Sequence, residues 1–135
     1  MPVFDIGLES LSEAECRALL AGSSFGRVAI TVGALPAILP VNYALLDGDV
    51  VFRTTEGSKL RAALERAVVA FEIDGIDEAQ HTGWSVLVVG HATAIWRQPD
   101  VERAQALDIR PWAPGTRDRF VRVTTGMISG RRINA

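Results

Sequence analysis

Hydrophobic residues recur in this sequence with two periods, and the points where one period gives way to the other mark out its elements. Leu11, Ala14, Cys16, Ala18 and Leu19 repeat at helical spacing. Ser12 with Glu15 three residues later forms a capping box ahead of them, so a short helix is predicted to about Ala21, ended by Gly22. The small and β-branched run FGRVAITV predicts a strand from Phe25 to Val32, closed by Gly33-Ala34. Ala37 to Leu46 predicts the next strand. Pro36 and Pro40 have no N–H for a ladder, so this strand must be interrupted, bulged or at an edge near its start. Asp47-Gly48 is a two-residue hairpin signal, and Asp49 to Thr54 returns as a third strand.

Helical spacing resumes from Gly57 to Ala67, with Leu60, Ala63, Leu64 and Ala67 on one face and Thr55 as cap. Val68 to Ile73 predicts a buried strand. Asp74 to Thr82 predicts a polar loop that turns at Asp74-Gly75. Trp84 to Trp96 is long enough to serve two sheet surfaces, provided Gly90 permits a sharp bend. Pro99 to Leu107 predicts a helix and Pro111 to Gly115 a turn. Phe120 to Thr125 and Met127 to Ile133 then close the chain as one bent strand or a hairpin. Consecutive hairpin-linked strands argue against a doubly wound parallel sheet. They predict a mainly β fold, an antiparallel barrel with peripheral helices, in a single domain over residues 1–135.

Composition narrows the function classes. A net charge of −2 and a pI near 5.6 give no global attraction to nucleic acid or anionic lipid. The longest apolar runs, such as Val86 to Val89, are far too short to cross a bilayer. The first fifteen residues carry no secretory signal, which predicts a cytoplasmic protein. The single cysteine, Cys16, excludes an intrachain disulfide and any multi-cysteine metal site, and reads as a small buried residue of the first helix. Only the C-terminal region is basic, through Arg117, Arg119, Arg122, Arg131 and Arg132. Such a cluster suits either a solvated strand face or a site for an anionic ligand.

Candidate chemistry concentrates in RTTEGSK. Arg53 and Lys59 supply two cations at exposed ends of their elements. Thr54 and Ser58 supply hydroxyls, and the helix start supplies N–H groups, which together suit a phosphate monoester. The order Gly57-Ser58-Lys59 is not a nucleotide P-loop, since no upstream glycine stands at the required spacing. His81 and His91 have no companion ligands at metal-binding spacing, and no catalytic triad assembles around Ser85 or Ser129. Tyr43 reads as a buried strand tyrosine with a satisfied hydroxyl. Of Trp84, Trp96 and Trp112, one or two read as core or interface residues, while Trp84, beside Ser85, also suits the lining of a flat aromatic ligand. With so few catalytic groups, a bound cofactor would carry any reaction.

The segments GRVAI, PAILPVNY, VVFRTTEGSKL, VAFEID and GWSVLVVGHA, in this order and spacing, resemble the pyridoxamine 5′-phosphate oxidase-like, FMN-binding split-barrel proteins from about Leu11 to Ile133. The resemblance implies a six-stranded antiparallel split β-barrel that forms a homodimer, with two flavin sites at the subunit interface. Carried over, the strand Leu39, Pro40, Val41 and Asn42 would meet the flavin ring through its backbone. Arg53 and Thr54 would lie along the ribityl phosphate, with Ser58 and Lys59 gripping the phosphate and Leu60 following them. Trp84 and Ser85 would face the ring, and Arg131 would reach the ligand from the C-terminal strand. Ile128 stands where the oxidases proper carry an aromatic residue, which separates this chain from them. The implied function is an FMN-dependent oxidoreductase acting on a small organic molecule. A deazaflavin-dependent reductase and a non-catalytic flavin- or haem-binding module are the alternatives.

Overall fold

The computed structural model describes residues 9–54, 65–109 and 119–134. Its elements are β1 (Glu9–Ser10), α1 (Glu13–Gly22), β2 (Phe25–Val32), β3 (Leu35–Leu46), β4 (Asp49–Thr54), β5 (Val68–Asp77), β6 (Thr82–Ile95), α2 (Asp100–Gln105), β7 (Arg119–Val123) and β8 (Met127–Ile133). All pairings are antiparallel, in the order β1-β8-β6-β5-β2-β3-β4-β7, and a further β6–β7 pairing closes six strands into a barrel. This is the split-barrel architecture that the resemblance implies.

Local chemistry explains most of the elements. Ser12 and Glu15 cap α1 reciprocally, at 3.1 and 2.9 Å. Asp47 and Gly48 both have positive φ, 53° and 84°, which is the type I′ turn that suits a two-residue hairpin. β3 runs unbroken to Leu46 and pairs with β2 along its whole first part, while β4 joins it only from Tyr43 onward. Pro36 and Pro40 therefore stand on an edge rather than in a break.

Long β6 is what closes the barrel. Along one side, Gly83 to Val89 pairs with β8 and Ala92 to Ile95 pairs with β7, so β7 and β8 are two halves of one bent strand. The bend needs Gly90, because a Cβ there would lie 1.6 Å from the Thr124 carbonyl oxygen. No side chain could occupy that space.

Inward-facing Val28, Ile30, Val41, Tyr43, Val50, Phe52, Phe71, Ile73, Val86, Val88 and Val123 fill the barrel. Each is worth about 1.5–3 kcal/mol for a fully buried aliphatic or aromatic chain. α1 plugs one side through Cys16 and Leu20, and the buried thiol of Cys16 is pushed up in pKa by desolvation. A second, smaller core of Leu46, Val51, Ala104, Ile109 and Phe120 lies outside the barrel wall, under α2.

Two expectations are corrected. Asp74-Gly75 is not a turn: β5 continues to Asp77, with Asp74 opposite Ser85 and Gly75 opposite Trp84. Gly75 is there for close approach, since a Cβ would stand 2.7 Å from the indole nitrogen of Trp84. The helix predicted over Gly57 to Ala67 does not include Glu65 to Ala67, where Arg66 has φ of 60° and the chain turns into β5. The rest of that helix and the turn from Pro111 to Gly115 lie outside the described residues. No described helix is long and apolar enough to cross a membrane.

Candidate functional site

Alternation along β3 decides what this strand offers a ligand. Leu39 and Val41 turn inward and pack with the core, so their side chains are committed. The Tyr43 N–H donates to the Ser24 carbonyl, which fixes the odd-numbered main-chain groups toward β2. Main-chain groups of Ile38 and Pro40 therefore face the opposite edge, where β4 pairs with β3 only from Tyr43 onward. The two prolines have the same parity, so their missing donors fall on this edge and cost the β2–β3 ladder nothing. Of the strand Leu39 to Asn42, the main chain of Leu39 and Val41 is thus engaged with β2, and that of Pro40 faces the other edge.

Asn42 and Arg53 follow directly on the Tyr43–Phe52 pair, side by side where β3 and β4 part. Arg53 is not at an exposed end, which corrects the sequence reading. It is half-buried, donates from Nη1 to the Ile109 carbonyl at 2.7 Å, and its guanidinium lies 5.6 Å from the centre of the Phe120 ring. Arg53 thus fastens the segment after α2 to the barrel wall. Thr54 ends β4 next to it, and Ser58, Lys59 and Leu60 lie outside the described residues.

The remaining candidates gather on the far side of the sheet. Ser85 is directly opposite Arg131, and Trp84 opposite Arg132. Successive strand residues point to opposite faces. Ser85 and Arg131 consequently share the outer face, while Trp84 packs toward the core and lines a cleft of about 550 Å³ with Arg132, Asp77 and Ile133. Trp84 and Ser85 cannot face the same side of one ligand. Ile128 is half-buried against the core and takes no part in either group.

The C-terminal arginines divide between roles. Arg122 is paired with Asp49 at 2.9 Å and lies 3.8 Å from Asp47, while Arg103 binds both Asp47 oxygens at 2.7 Å. Those bonds hold the Asp47 carboxyl below the usual carboxylate range and tie the β3–β4 turn to α2 and β7. Arg132 reaches Glu15 at 3.7 Å. Among the described residues no carboxylate pairs with Arg131, which leaves it the C-terminal cation best placed to meet an anion.

Tyr43 is structural. Its hydroxyl donates to the Leu20 carbonyl at 2.5 Å, and burial pushes the phenol up to about 12. His81 sits in the β5–β6 turn and His91 on the outer face of β6, both exposed.

Outward-facing residues of β8, β6, β5, β2 and β3 form cross-strand rows. One row is apolar throughout: Met127, Val89, Ala70, Ala29 and Ile38. Met127 and Ile38 are 55% and 68% exposed, which is unusual for the outer face of an antiparallel sheet. Along a second row, Arg131, Ser85 and Asp74 stand at one end and Phe25 and Asn42 at the other, with Arg53 beyond. β6 and β3 are separated by β5 and β2 in the sheet order. Three strand spacings make about 14 Å along the wall. The structure thus brings the candidates together as two groups at opposite ends of one face.

A flavin suits this donor set only in part at either end. The β3 edge offers main-chain hydrogen bonds for a polar ring edge, and Arg131 with Ser85 offers a cation and a hydroxyl.

Comparison with known proteins adds the lineage. The family model described as pyridoxamine 5′-phosphate oxidase matches residues 12–132. An uncharacterized protein of Mycobacterium tuberculosis is 39% identical over 130 residues, covering 93% of this chain and 85% of its own. A FAD binding protein from Mycobacterium smegmatis superposes with a TM-score of 0.80 at 35% identity, covering 94% of this chain and 99% of that one. A Corynebacterium glutamicum protein, provisionally named as a pyridoxamine 5′-phosphate oxidase, superposes with a TM-score of 0.83 at 30% identity, covering 95% and 99%.

Proposed function

The chain belongs to the pyridoxamine 5′-phosphate oxidase family, and from that premise we propose that it is a cytoplasmic, flavin-dependent oxidoreductase working as a homodimer on a small organic molecule. The observation that carries this reading is the β3 edge, where prolines keep the ladder to β2 intact and turn main-chain groups outward beside Asn42 and Arg53. When bound, the flavin would supply the electron-transfer chemistry. The chain's own residues would orient it: main-chain groups of β3 at the ring edge, Thr54, Ser58 and Lys59 at the phosphate, and Arg131 with Ser85 from the other group.

The homodimer reading is supported by the separation of the two groups, about three strand spacings. A second copy laid two-fold on the outer face would bring one chain's Ser85 and Arg131 to the other's Asn42 and Arg53, because an isologous contact exchanges the two ends of a row. It would also cover the apolar row from Met127 to Ile38.

FMN, FAD and deazaflavins share the ribityl phosphate that the family site grips. FMN is the smallest molecule that satisfies the proposed contacts, whereas the 35% identical relative is named for FAD. The test is a titration of the purified protein with each of the three, followed by absorbance and fluorescence, then reduction by nicotinamide cofactors. Saturable binding of one and its reduction support an oxidoreductase. Binding without turnover under any reductant would leave a flavin carrier, and no binding of any of them overturns the proposal.

A further inference from the structure

The middle of the outer face holds a charge cluster that the proposed flavin site does not use. Arg27 on β2 reaches Glu72 at 3.4 Å and Asp74 at 3.2 Å, both on β5. One cation therefore serves two carboxylates. The three side chains are 44%, 33% and 29% exposed, so they stand on the surface without being fully solvated. Around them the face is apolar: Leu87 is opposite Glu72 on β6, Pro40 is opposite Arg27 on β3, and Ala29 and Ala70 belong to the adjoining row.

Position makes the cluster consequential. It lies between the two halves of the candidate site, so the two-fold contact proposed above would set it against its own copy. Two clusters that each carry one cation and two ionised carboxylates would repel as water leaves the contact. With one proton on each carboxyl pair, both clusters become neutral.

We propose that Arg27, Glu72 and Asp74 make the pairing of two copies proton-dependent, each cluster taking up a proton as the copies meet and releasing it as they part. This rests on the homodimer of the preceding section. Desolvation by burial, then the hydrogen-bonded Asp74 carboxyl and its charge, already raise Glu72 to about 7 in the single chain, against the opposing pull of Arg27. Covering the face removes more water and favours the neutral carboxyl further. Among the described residues, the other elements packed against Glu72 bring no titratable group to it: β6 presents Leu87 and Ser85, and β3 presents Pro40 and Asn42. Arg131 stands across Ser85 on β8, and His91 lies two rows away along β6.

Because association takes up protons, its constant falls as pH rises past the point where the free chain loses them. Up to two protons per dimer set a ceiling of roughly a hundredfold per pH unit. The experiment is sedimentation equilibrium of the wild type and Glu72→Gln from pH 5.5 to 8.5 at fixed ionic strength. The wild-type Kd should be flat at acid pH and weaken about tenfold or more by pH 8.5, while Glu72→Gln, permanently neutral there, stays tight and flat. A wild-type dimer with constant Kd, or a variant that keeps the full pH dependence, overturns the inference and leaves the homodimer standing. A monomer at every pH removes the homodimer and the inference together. Should the variant fold poorly, dilution calorimetry of the wild type at pH 7.5 in buffers of different ionisation enthalpy reads the same linkage: proton uptake on association supports it, and none overturns it.

Discussion

Single side chains do work here that their chemical type alone would not assign. Arg53 belongs to the phosphate-suited run, yet its guanidinium holds the Ile109 carbonyl and lies over Phe120. Arg53→Ala leaves that carbonyl unpaired and removes the packing on Phe120, so a loss of about 1–3 kcal/mol is expected by urea unfolding. Lys59→Ala is therefore the cleaner probe of phosphate binding, with weaker flavin affinity as its expected result. Tyr43→Phe loses the bond to Leu20 but keeps the ring against Phe71, 4.8 Å away centre to centre, and should cost about 1–2 kcal/mol while leaving flavin binding intact. Glu72 sets a pH effect on the fold itself. Its carboxyl is raised from 4.5 to about 7, so the folded state holds the proton more tightly than the unfolded one. That stabilisation is complete below pH 4.5 and is lost as pH rises through 7. Melting curves of the wild type should drop across this window, and those of Glu72→Gln should not. The buried, satisfied hydroxyl of Tyr43 was legible in the sequence though its partner was not, and the roles of Arg53 and Glu72 were not, because each depends on a partner at least 45 residues away.

Elements were legible wherever a local signal was enough. The capping box placed α1, and Asp47-Gly48 placed the β3–β4 hairpin, because a turn or cap is settled within four residues. Pro36 and Pro40 signalled that β3 is interrupted, bulged or at an edge, and the unbroken pairing with β2 selects the edge. Gly75 misled because a glycine after aspartate suits a turn equally well, and only the indole lying over it shows that the space was needed for Trp84. Gly90 carried the opposite lesson, since a glycine within an apolar run of thirteen residues suggested the bend that closes the barrel. Its substitution is a sharp test. A Cβ 1.6 Å from the Thr124 oxygen cannot be relieved by a rotamer change, because the atoms it would meet, of Thr124 and Gly126, are all backbone. Gly90→Ala must push β7 and β8 off β6, with an expected loss above about 4 kcal/mol, or no folded protein at all. Unfolding of the variant at wild-type urea midpoint would show that the bend tolerates more than the geometry implies.

For the molecule as a whole, the fold could be inferred from consecutive hairpins, but the site could not be assembled, because its candidates fall on β3–β4 and on β6–β8 with two strands between them. Sequence order alone does not say whether those groups meet across the barrel or across two chains. The outer face supplies an argument: the row Met127, Val89, Ala70, Ala29, Ile38 is apolar where an antiparallel sheet normally meets water. If a second copy covers that row and completes the site, folding, association and flavin binding separate in a defined way. Ile38 is 68% exposed on a strand edge, so Ile38→Lys should change the stability of the single chain by no more than about 0.5 kcal/mol. The same change places two charges in a contact that must exclude water, and should abolish dimerisation at micromolar concentration. Flavin affinity should then fall with it, although lysine retains the main chain of residue 38 that the proposed site would use. Conversely, a ligand that binds only the paired form must tighten the wild-type dimer by the same free energy that pairing adds to its own binding. Sedimentation with and without flavin, on wild type and Ile38→Lys, reads both arms. A folded, monomeric variant with undiminished flavin affinity would place the whole cofactor site within one chain.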